Sequence, residues 1–98
     1  MSDALKSWMT LNVDGVSIKL SRPAEMNSVQ VDTILMRAPT VRDVLAASKA
    51  SGGDEEQREL TLFASLAEVG VSDLEGLHMK DYNRLQAGYF RLVKDDEL

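Results

Sequence analysis

The chain has 98 residues, 44% of them apolar and 28% charged, with a formal charge of −5, which fits one small globular domain spanning 1–98. This composition excludes intrinsic disorder, and no apolar run approaches the roughly 18 residues of a membrane-spanning helix. The absence of cysteine removes disulfides, thiol catalysis and thiolate metal sites; with no basic-then-apolar leader, the cytoplasm is the expected compartment.

Charge divides the chain. Residues 1–53 carry six Lys/Arg against five Asp/Glu, whereas residues 54–98 carry five against eleven, and Gly52-Gly53 marks the changeover. The expected fold is α+β: an N-terminal antiparallel β-hairpin plus a third strand within 1–39, then three to four α-helices within 40–94. The acidic end, 95–98, is expected to fray.

Met9, Leu11 and Val13 alternate with polar or exposed-type positions, as do Val16, Ile18 and Leu20. Asp14-Gly15 between them predicts a type I′ hairpin, because both residues tolerate positive φ. That turn pairs Val13 with Val16, Leu11 with Ile18 and Met9 with Leu20, gathering all six on one face. Trp8 then lies on the opposite face beside Ser21. Pro23 is expected to end the second strand, and 24–28 to form a polar connection. A third strand from Val29 ends before Pro39, and apolar residues on both of its faces near Ile34 to Met36 predict cover on both sides.

Thr40 is the expected N-cap of a helix running to about Ser51, with Asp43 in its first turn and a stripe of Val41, Val44 and Leu45 flanked by Ala47. A second helix starts near Asp54 and runs to Val69, with Gly70 as its left-handed terminator. Its apolar residues, including Leu60, Leu62, Phe63 and Leu66, cover about half of its circumference, more than one contact face needs. Ser72 to Glu75 reads as a capping box opening a short helix that Gly76 ends. The last helix covers about 80–94; Tyr82, Leu85, Tyr89, Leu92 and Val93 form its stripe, and Phe90 falls roughly 100° away.

Chemical sites are sparse. His78 and Asp81 could form a His–carboxylate base, but the sequence offers no nucleophile motif beside them, and a surface or capping histidine is the plainer reading. The clusters Asp54-Glu55-Glu56 and Asp95-Asp96-Glu97 lack the ligand spacing of a calcium loop, and one histidine without cysteine does not make a zinc site. Gly52-Gly53 precedes acids that would repel a phosphate. Residues 66–72 resemble the Gly-centred turn of a helix-turn-helix, yet Asp73 and Glu75 would face the phosphates. No catalytic, cofactor or metal residue is therefore expected, nor a nucleic-acid or membrane partner. Protein binding remains. Trp8, Phe90 and the broad second helix carry apolar groups without an obvious core slot, and an amphipathic partner helix suits such a surface.

One stretch carries a resemblance. Ile34-Leu35-Met36-Arg37-Ala38-Pro39-Thr40-Val41-Arg42-Asp43-Val44 resembles the strand-to-helix signature of phage tail assembly chaperones, the Mu-like family of contractile-tailed phages. Leu60 to Leu66, Gly70-Val71-Ser72, Leu74, Leu77, Asp81-Tyr82 and Leu85 follow the later pattern, so the likeness spans about 29–93. Ala38 departs from it, since an acid is common there. The resemblance implies a non-enzymatic factor acting in the host cytoplasm. Its partner would be the long, helical tape-measure protein, with the tail tube protein as a second candidate. The residues expected at such a contact are Leu62, Leu66, Tyr89 and Phe90, with Trp8 behind them. A small helix-turn-helix regulator and a structural tail subunit are the alternatives. The oligomeric state is left open.

Overall fold

Alternation over residues 9–37 builds a three-stranded antiparallel sheet in the computed structural model, which describes residues 6–94. The strands β1 (Met9–Asn12), β2 (Gly15–Met26) and β3 (Val29–Arg37) lie in the order β1-β2-β3. The first hairpin differs from the expected one by two residues. Met9 pairs with Ile18, Leu11 with Val16 and Asn12 with Gly15, so Val13 and Asp14 form the loop. Asn12 Oδ1 accepts from the Asp14 and Gly15 amides at 2.8 and 3.1 Å, which closes this turn with a side chain. A two-residue slip preserves side-chain parity, so Met9, Val16, Ile18 and Leu20 remain buried together while Val13 moves out to solvent.

Gly15 is needed for a different reason from the expected one. It lies in β2 rather than at positive φ, and a Cβ there would sit 2.5 Å from the Met36 carbonyl oxygen. The turn with two left-handed residues is instead Asn27-Ser28, at φ 53° and 66°, between the paired Met26 and Val29. These signs match the primed hairpin geometry.

β2 also runs past Pro23. Its pairing with β3 is irregular between Lys19 and Ala24, and a residue without an N–H fits such an unladdered stretch. One amide left over there, that of Ser21, donates to Asp81 Oδ1 at 2.7 Å. Asp81 is almost fully buried, so this carboxylate works as a cap for the bulge. The sheet is covered on one face. Ile34 and Met36 point inward, whereas Leu35, on the opposite face with Thr33, is exposed rather than covered.

Four helices follow: α1 (Val41–Ser51), α2 (Glu55–Ala67), α3 (Val71–Glu75) and α4 (Met79–Val93). α1 starts as expected. Asp43 N donates to Thr40 Oγ1 at 3.2 Å and Thr40 N to Asp43 Oδ2 at 2.8 Å, a reciprocal cap. Arg37 grips both oxygens of the same carboxylate, at 2.7 and 3.0 Å, and so ties the end of β3 to the first turn of α1. The guanidinium and the Thr40 amide hold the Asp43 carboxyl well below the usual carboxylate range.

α2 ends at Ala67, two residues before the expected Val69. Glu68 takes the left-handed position at φ 59°, and the Val69 amide reaches back to Ala64 O at 3.0 Å. Gly70 is instead the N-cap of α3, which therefore begins before Ser72. The Asp73 carboxylate accepts from the Gly70 amide at 3.3 Å. It also accepts from the Asn27 amide at 3.1 Å, and Asn27 Nδ2 donates to Glu68 O, so the second hairpin tip is pinned to the α2–α3 corner.

α2 packs against β3, α4 against β1 and β2, and α1 against the outside of α2. Phe63, Leu66, Leu74 and Leu85 meet Val16, Ile18 and Met36 between the layers. Each large side chain fully buried there contributes about 1.5–3 kcal/mol before entropy is counted. Gly88 lets α4 approach the sheet closely: a Cβ would stand 2.6 Å from Ile18 Cδ1.

Candidate functional site

Three of the expected contact residues belong to the interior. Leu62 and Leu66 are each only 2% exposed. They lie on the side of α2 that meets the sheet and the other helices, so the breadth of apolar surface on this helix serves the chain's own core. Tyr89 is half-buried with its ring 5.2 Å from that of Phe63. Trp8 is half-buried as well. It sits in the turn before β1, and the Arg84 guanidinium lies 5.1 Å from its ring centroid while Arg84 Nη1 donates to Lys19 O. Phe90 differs from all four. It is 63% exposed.

Phe90 does not stand alone. At about 100° per residue, Met79, Tyr82, Gln86, Phe90 and Val93 fall within about 80° of the α4 circumference. The buried Asp81, Leu85 and Gly88 are centred about 130° away, which makes α4 apolar along two separate lines. Met79 is 67% exposed and Val93 is exposed too. The 15 residues of α4 make this outer line about 22 Å long.

The Met79 end opens into a groove of about 390 Å3 between α2, α3 and α4. Leu60, Leu74, Leu77, Met79 and Tyr82 give it an apolar lining, while Glu56, Glu59 and Glu75 add three acids. Glu59 is held in place there: its Oε1 accepts from Tyr82 Oη at 2.7 Å and from Gln86 Nε2 at 2.9 Å. Burial, and then the neighbouring carboxylate, raise the Tyr82 phenol above its ordinary value. An unbranched, polarisable methionine at the mouth adapts to varied apolar partners. Chemically, the arrangement can receive an apolar side chain on a segment that carries positive charge at its margins.

A larger concavity, about 590 Å3, runs beside β3 from Val29 to Arg37 and reaches the end of α2. It borders an edge strand, so its geometry suits an extended segment rather than a helix.

The remaining sequence candidates separate. Asp81 bonds the Ser21 amide rather than His78, and His78 Nε2 lies 3.4 Å from Arg22 Nη1. Among the described residues no group of three or more His, Cys, Asp or Glu could hold a metal ion, and no helix is long and apolar enough to cross a membrane. The would-be recognition helix, α3, has only five residues, with Leu74 buried and Asp73 engaged by Asn27. The signal that could have revealed the outer line of α4 was Met79: with it included, the spacing 79, 82, 86, 90, 93 is a second helical stripe.

The fold is a small α+β module with a filled core and a second apolar line on its last helix. The chain belongs to a family of such modules: the model described as "Phage tail assembly chaperone proteins, E, or 41 or 14" matches residues 17–94. That match begins inside β2 and takes in every element after it. No curated protein and no solved structure matches the chain.

Proposed function

We propose that this tail assembly chaperone binds the tape-measure protein during tail morphogenesis, without enzymatic activity, in the host cytoplasm. Its contact surface is the outer line of α4, with Phe90 and Val93 toward one end and the Met79 groove at the other. One observation carries this reading: three large apolar side chains, Met79, Phe90 and Val93, stay exposed along one straight helix face although the core is filled. A long helical protein waiting for its tube presents partly apolar helices, and helix against helix buries both. Acidic charge keeps the free chaperone from associating through that surface indiscriminately. Tail tube protein is a weaker candidate, because a tube subunit has a folded surface of its own.

Co-expression with the neighbouring tape-measure protein tests this. The expected result is a soluble complex that Phe90→Asp weakens; tape-measure protein equally soluble alone, with nothing recovered in pull-down, removes the basis of the reading. A strand added along β3 is the second reading, favoured by the exposed Val29 and Leu35. It predicts that Leu35→Glu, and not Phe90→Asp, abolishes capture.

A further inference from the structure

We propose that the acidic groove between α2, α3 and α4 also receives the outer face of α1 from a second copy of this chain. The inference shares its groove with the proposed function but not its partner.

α1 has two sides. Val44 and Ala47 turn toward α2, whereas Arg42, Leu45, Ala46 and Lys49 line a shallow apolar surface on the far side. Leu45 is 63% exposed, and the neighbouring Val41 is exposed as well. Sequence periodicity joined Val41, Val44 and Leu45 into one stripe; docking on α2 covers only the edge of it. The two cations stand seven residues apart, about 10 Å along the helix, with Leu45 and Ala46 between them. The one acid of α1, Asp43, is clamped by Arg37, so it does not neutralise Arg42 or Lys49. In a chain of charge −5 this face is therefore locally positive and apolar.

The groove has the complementary character: an apolar lining with Glu56, Glu59 and Glu75. Within one chain the two cannot meet, because α1 rests on α2 with this face turned outward, and α2 is a wall of the groove. Across copies they can. Donor and acceptor surfaces differ, so the contact is head-to-tail and leaves a free groove and a free α1 at the ends of each assembly. Two small patches make a weak contact, formed at micromolar or higher concentration and sensitive to salt.

Sedimentation of the full chain over about 5–500 μM, a range spanning weak association, provides the test. The expected result is an average mass that rises with concentration and falls back at about 0.5 M salt. Arg42→Glu with Lys49→Glu, or Glu56→Lys with Glu75→Lys, should each weaken association at least about tenfold. Mixing the two variants should restore it, since an acidic α1 then faces a basic groove. All four positions are exposed, so unchanged circular dichroism is expected and checks the fold. A chain that stays monomeric throughout, or an assembly indifferent to both charge reversals, overturns the proposal. Assembly broken by Leu35→Glu instead would assign the contact to β3 and overturn it too. The experiment contains no tape-measure protein, so its failure and that of the proposed function are separable.

Discussion

Replacing Gly15 tests the register on which the sheet face depends. In Gly15→Ala the new methyl would lie 2.5 Å from Met36 O and 3.2 Å from Arg37 Cα, both backbone atoms of β3. Neither can rotate away, so the Gly15–Arg37 pair must open by about 1 Å to reach ordinary contact. Overpacking of this kind costs about 1–3 kcal/mol. The alanine returns about 0.4–1 kcal/mol by narrowing the unfolded ensemble. The net loss is about 1–2 kcal/mol, or roughly 5–15 °C in Tm for a domain of this size. Gly76→Ala serves as the control, because Gly76 has φ −81° and ψ −8° and its nearest neighbour would be 3.5 Å away. It should be neutral or slightly stabilising in the same thermal melts. Gly15→Asn is the decisive variant. Any Cβ clashes here, so asparagine should be at least as harmful as alanine. If asparagine rescues stability, Gly15 stands at positive φ and the Asp14-Gly15 turn is the real one.

Other outcomes follow from the same contacts. Asp43 has a folded-state pKa below its unfolded value of about 3.9, so its stabilisation is present above about pH 4 and is lost as pH falls further. Denaturation of the parent and of Asp43→Asn should therefore differ most at pH 6, and the gap should narrow steadily as pH falls from about 4 to 2 without closing. Asp81→Ala strands the Ser21 amide and should cost about 1–3 kcal/mol in urea unfolding; Asp81→Asn keeps an acceptor and should cost less. Leu62→Ala and Leu66→Ala remove core side chains and should cost about 2–5 kcal/mol each, whereas Phe90→Asp should stay within about 0.5 kcal/mol.

Much of the fold was legible because it rests on short-range rules. Three strands, the Thr40–Asp43 cap and the order of helices all follow from alternation, capping and punctuation in the chain. The turn positions were not, because a two-residue slip leaves every strand side chain on its original face. Asp14-Gly15 also outranks Asn27-Ser28 as a primed-turn signal, although the latter adopts it. Pro23 misled for a related reason: it ends a regular ladder, but β2 has an irregular stretch there that needs no N–H. The candidate site was legible only in part. Periodicity shows that a helix has apolar positions, but which of them meet the core depends on how neighbours dock. Leu62 and Leu66 therefore went inward, Leu45 outward, and Phe90 stayed exposed with Met79 as its unrecognised companion. The buried role of Asp81 depends on a bulge sixty residues earlier, which no local pattern encodes.

Amide hydrogen exchange on the chaperone, alone and in complex with the tape-measure protein, bears most directly on the account. Slower exchange confined to α4 and the facing ends of α2 and α3, and absent with Phe90→Asp, is the predicted result. Protection concentrated along β3 with α4 unchanged, or no complex to measure, would contradict it.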